Sequence, residues 1–132
     1  YRIMTNLNSS IITNKTKGKL PSLPFVSIKN SILGKKYDLS IALLSPKKQA
    51  EINRIYRGIN KTTNILSFPI SKNSGEITLD LAKVKKEAHL FEMSYSQFLK
   101  YLVIHGLLHL KGFEHSSKMD NEEIKIRKKF KI

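Results

Sequence analysis

The segment that most restricts the possible folds runs from Ser94 to Gly112. Phe98, Leu99, Leu102, Val103, Leu107 and Leu110 recur at helical spacing, which puts them on one apolar stripe of a helix. Ser94 and Gln97 have the Ser-x-x-Gln pattern of a capping box at its start. Gly112 stands where a left-handed terminating residue belongs. A helix this apolar has to be buried by other elements, and 132 residues are enough to do so in one domain.

The rest of the chain supplies those elements. Leu23 to Leu33 is expected to be helical, with Phe25, Ile28, Ile32 and Leu33 apolar and Gly34 beyond its end. Tyr37 to Leu44 reads as a strand. Ser45 caps a helix whose first residue is Pro46, whose apolar residues are Ile52, Ile55 and Tyr56, and which stops at Gly58. Asn64 to Ile70 and Glu76 to Leu79 read as strands about a Ser71–Gly75 turn. Asp80 caps a helix through Phe91. A last helix starts near Asp120, with acids first and bases last, which complements the helix dipole. Asn6 to Ser22, polar and basic, reads as a strand end plus a loop. Helices mixed with three or four strands indicate a single α/β or α+β domain over residues 1–132.

Composition narrows the chemistry. The chain has no cysteine, which excludes a disulfide framework, a thiol nucleophile and any thiolate-held zinc. No apolar run approaches the length of a membrane span, so no membrane partner is expected. Tyr1 to Lys19 has no apolar core of a signal peptide; a cytoplasmic location is the expectation. Lys and Arg number 24 against 10 acids, a net charge of +14. That balance favours polyanionic partners through counterion release. Most of the cations are Lys rather than Arg, in a chain also rich in Ile and Asn. Nucleic-acid binding and AT-rich composition are therefore both open as its origin.

The chemistry-bearing segment is His105-Gly-Leu-Leu-His109-Leu-Lys-Gly-Phe-Glu-His115. His105 and His109 project from one helix face, about 6 Å apart along the axis. Gly112 lets the chain turn back and bring His115 to the same point. Three neutral imidazoles with an open fourth position is the pattern of a catalytic zinc site. The spacing equals the metzincin motif, but the Glu that acts as base in those proteases is Gly106 here. The metal scaffold is present without the peptide-hydrolysis base. His89 falls outside the triplet and reads as structural.

Several segments together resemble the YbeY family of single-strand-specific endoribonucleases. They are Tyr56-Arg57-Gly58, Thr63-Asn64-Ile65-Leu66-Ser67-Phe68-Pro69, Gly75-Glu76-Ile77 and the three-histidine run, in that order over Ser45 to His115. The resemblance implies a zincin-like fold with a mixed four-stranded sheet, about five or six helices and a zinc site on a central helix. It implies one zinc ion on His105, His109 and His115, and a functional Arg57. It also implies maturation of the 16S ribosomal RNA 3′ end and ribosome quality control, with single-stranded RNA, ribosomal RNA and the small ribosomal subunit as partners, and a ribosome-assembly GTPase besides. The family usually has Asp where Glu76 and Glu114 stand and Pro where Thr62 stands.

The residues then take these roles. Zinc lowers the pKa of a bound water to about 7 and polarises a phosphoryl oxygen, and a guanidinium at Arg57 would clamp the scissile phosphate. Asn64, Ser67, Glu76 and Glu114 are candidates for supporting or RNA-contacting positions, with Ser67 a backbone-bonding residue rather than a nucleophile. Attack by water and attack by the RNA 2′-hydroxyl both stand. Two rival classes remain: a zinc peptidase with an unusual base, and a non-enzymatic ribosome-assembly factor whose zinc is structural.

Overall fold

Alternation along the sheet decides where the long helix lies. The computed structural model describes residues 24–132 in full and, before them, the backbone of two strands, β1 (Arg2–Leu7) and β2 (Ser10–Asn14). The remaining elements are α1 (Phe25–Ile32), β3 (Asp38–Leu43), α2 (Pro46–Arg57), β4 (Ile65–Ser71), β5 (Ser74–Leu79), α3 (Leu81–Glu87), a 3-10 turn (Ala88–Phe91), α4 (Tyr95–Lys111) and α5 (Ser117–Lys129). The strands form one mixed sheet in the order β1-β2-β3-β5-β4. β3 runs parallel to β2 and β5, while β4 pairs antiparallel with β5 at the sheet edge. Leu39, Ile41 and Leu43 of β3 lie beside Gly75, Ile77 and Leu79 of β5, and all six are buried. A parallel centre needs cover on both faces, which is why β3 reads as a nearly continuous apolar run.

α4 covers the face that carries Ile65 and Ser67 of β4 and Ile77 of β5. A Cβ built on Gly106 would stand 2.9 Å from both Ile65 Cδ1 and Ser67 Oγ and 3.3 Å from Ile77 Cδ1. Glycine at 106 is thus what lets the helix touch the sheet. α1, α3 and α5 pack around the same helix, so Phe98, Leu99, Ile104 and Leu107 have no exposed surface. Each such burial contributes about 1.5–3 kcal/mol relative to exposure. The opposite face of the sheet carries α2, whose Tyr56 ring lies 5.0 Å from that of Phe68.

The α+β class and five α-helices match the expectation, and the four-stranded count does not. The segment read as a strand end plus a loop contains β2, which joins β1 to β3; residues 15–23, the loop part and Leu23, lie outside the described residues. The helix expected from Asp80 through Phe91 breaks after Glu87 into the 3-10 turn. The last helix begins at Ser117, because Ser116 Oγ accepts from Met119 N and caps it. The capping box is half made: Ser94 Oγ accepts from Gln97 N, but the Gln97 Oε1 has no partner. Among the described residues no helix is long and apolar enough to cross a membrane.

Candidate metal centre

Two turns of α4 and one sharp exit from it build the centre. His105 and His109 stand one helical turn apart. Gly112 then adopts φ 109°, and its N–H and that of Phe113 return to the carbonyls of His109 and Leu108 at 3.0 and 3.1 Å. Only glycine takes that conformation without strain. The reversal places the His115 ring 5.2 Å from His105 and 4.8 Å from His109, centroid to centroid. One nitrogen from each of the three rings lies within 4.8 Å of the others.

The partners of the outer ring nitrogens fix the tautomers. His105 Nδ1 donates to Glu123 Oε2 at 3.0 Å, and His109 Nδ1 donates to the Phe113 carbonyl at 3.0 Å. A carboxylate and a carbonyl only accept, so both hydrogens sit on Nδ1. The two Nε2 lone pairs then face each other at 3.1 Å. Facing lone pairs repel unless a cation stands before them. Tetrahedral zinc with bonds near 2.0–2.1 Å brings nitrogens to about 3.3 Å of each other, close to this spacing. The donor set therefore fits a metal ion. Burial lowers the pKa of His109 below its usual 6.5; the positive charge that His105 and His115 can carry pushes the same way, and the Phe113 carbonyl opposes it.

Glu123 is buried on α5, near the Tyr101 side chain. Burial first, and this carboxylate second, raise the Tyr101 pKa. Arg127 lies 5.1 Å over the Tyr101 ring. A signal that could have found this residue lies in the periodicity of α5: Met119, Glu123 and Ile126 are its buried stripe, and a carboxylate in an apolar stripe needs a partner.

The three histidines open on a cleft of ≈ 520 Å³ that Arg57, Asn64, Ser67, Phe91 and Tyr101 also line. Arg57 is exposed at the last turn of α2, where the left-handed Gly58 ends the helix. Asn64 donates to Glu87 Oε1 at 3.0 Å, and Ser67 Oγ donates to the Gly106 carbonyl at 3.2 Å. Two expected positions are elsewhere. Glu76 does not line the cleft: it alternates with Ile77 and so occupies the sheet face away from α4. Glu114 is exposed and borders a separate depression with Phe113 and Lys118, on the far side of His115. The carboxylate that meets the histidines is Glu123 instead. His89 is exposed on the 3-10 turn and outside the cluster.

A family model described as Endoribonuclease YbeY matches residues 5–131. The chain belongs to the YbeY family. A relative named Endoribonuclease YbeY from Aliarcobacter butzleri is 31% identical over 132 residues, covering 92% of this chain and 91% of its own. One of the same name from Thermodesulfovibrio yellowstonii is 36% identical over 97 residues, covering 68% of this chain and 60% of the relative. The solution structure of a Thermotoga maritima protein has a TM-score of 0.61 at 24% identity, covering 92% of this chain and 91% of that one, and shows the same fold. The YbeY family is one of endoribonucleases, and in this member the three-histidine segment and Arg57 border one cleft.

Proposed function

We propose that this chain is a zinc-dependent endoribonuclease that cuts single-stranded RNA, with the 3′ end of 16S ribosomal RNA as its physiological substrate and ribosome quality control as its setting. The observation that carries the reading is the convergence of two imidazole lone pairs, a third imidazole and a guanidinium on one cleft. His105, His109 and His115 would hold the metal, which when bound supplies Lewis-acid polarisation and an activated water. Glu123 and the Phe113 carbonyl keep His105 and His109 turned with Nε2 inward. Arg57 offers a planar fork to a phosphate, and its attraction grows as charge builds on the phosphoryl oxygens. The peptidase alternative is disfavoured by packing, because the place of its base is filled by Ile65 and Ser67 against Gly106.

The test is single-turnover cleavage of an end-labelled single-stranded oligoribonucleotide beside a peptide library, with metal content measured throughout. The parent should cut RNA and no peptide. Arg57→Ala should lose about 10²–10³ in rate with its metal retained, and Arg57→Lys should recover only part, since an ammonium lacks the fork. His115→Ala should bind less zinc. RNA bound but uncut by the zinc-loaded parent would overturn the reading in favour of an assembly factor with a structural ion.

A further inference from the structure

Three aromatic rings form a column at one wall of the cleft. Phe98 is fully buried on α4. Tyr101 lies beside it at 6.2 Å and 20° between planes, and Phe91 lies on it at 4.8 Å and 22°. These are offset-stacked geometries. Phe91 is the outer member, stacked on Phe98 and 53% exposed. It lines the same cleft as Arg57 and the histidines. Its place is set by the backbone: Met93 N donates to the Ala88 carbonyl at 3.1 Å, and Glu92 takes φ 55°, a left-handed conformation uncommon outside glycine.

We propose that Phe91 is a stacking platform for a nucleobase of single-stranded RNA, one whose backbone phosphate meets Arg57. The inference rests on the reading of the cleft as an RNA-cutting site. A ring held from behind by a buried ring loses little freedom when a ligand covers its front. Every base offers a π-face, so a platform of this kind accepts any unpaired base and excludes a stacked duplex. The guanidinium in the same cleft and the charge of +14 favour a polyanion carrying such bases over an apolar ligand.

The probes are a short single-stranded 2′-O-methyl oligoribonucleotide and the same strand with abasic sites, followed by fluorescence anisotropy at fixed low salt. The proteins are the metal-loaded parent, Phe91→Leu and Phe91→Trp, each checked by thermal melting. The parent should prefer the base-containing strand. Phe91→Leu keeps apolar cover on Phe98 but removes the π-face, so its Kd for that strand should rise about 5- to 150-fold while the abasic Kd is unchanged. Phe91→Trp should retain the preference. If the parent discriminates and Phe91→Leu discriminates equally, the platform assignment is wrong although the RNA reading survives. If the parent binds neither strand, the RNA reading fails and the platform with it.

Discussion

Glu123→Gln isolates the contribution of one buried charge to the metal centre. The carboxylate is 9% exposed and lies 3.0 Å from His105 Nδ1. Glutamine keeps the volume and an acceptor oxygen but removes the charge, and a neutral bond is about half as strong as a charge-assisted one. Its amide can also turn its NH₂ toward His105, which would shift the ring hydrogen to Nε2 and remove the inward lone pair. Loss of such a partner typically costs 10–100-fold in metal affinity. The glutamine variant should therefore fall near the lower figure, about 10-fold, and Glu123→Ala near the upper, since alanine leaves His105 free to rotate. The assay is zinc competition against a chromogenic chelator at constant pH, with Glu114→Gln as the control carboxylate outside the cleft. A Glu123→Gln protein within twofold of the parent would refute the claim that this residue orients a ligand. Equal losses for Glu123→Gln and Glu114→Gln would show that only bulk charge matters.

Gly106→Ala gains about 1 kcal/mol in helix propensity but pushes a methyl into Ile65 and Ser67, and overpacking costs about 1–3 kcal/mol. It also strains the Ser67–Gly106 hydrogen bond, so denaturant melts should show net destabilisation; a more stable protein would mean that α4 and β4 can part freely. Binding of single-stranded RNA should weaken steeply with salt, with a log–log slope of about −0.7 per phosphate contacted; a flat response in an anisotropy titration would make the surplus Lys compositional. In metal-free protein, His109 has a folded pKa below its unfolded 6.5, so the unfolded state binds more protons just below that pH. Stability should rise with pH through this window, and His109→Gln should flatten that part of the melting profile.

Local chemistry made most of the helices legible. Ser45, Pro46 and Gly58 bound α2, and Ser94 and Gly112 bound α4, because caps act on the nearest turn of backbone. The three-histidine centre was legible for the same reason, being one helix and one turn. What escaped depends on distant partners. Ile55 and Tyr56 look like the inner face of α2 but are 58% and 68% exposed. The helix instead buries Gln49 and Asn53, whose amides satisfy the carbonyls of Thr63, Thr78 and Lys61. Apolar periodicity has no means of finding a buried amide whose acceptors are on other segments. Glu76 was misplaced because its face depends on the sheet register, and Glu123 was missed because its partner is 18 residues away.

The helix that carries His105 and His109 is also the one around which α1, α3, α5 and the sheet are assembled. Retuning and folding are therefore assigned to different parts of the chain. A substitution in the buried stripe of α4 disturbs the packing of the whole domain before it alters what the cleft accepts. Arg57 at the end of α2, Asn64 and Ile65 at the start of β4, Phe91 of the 3-10 turn and His115 of the α4–α5 connection are exposed or half-exposed and line the cleft. Those four margins are where variation or laboratory selection can change what this cleft accepts while leaving the axle of the domain intact.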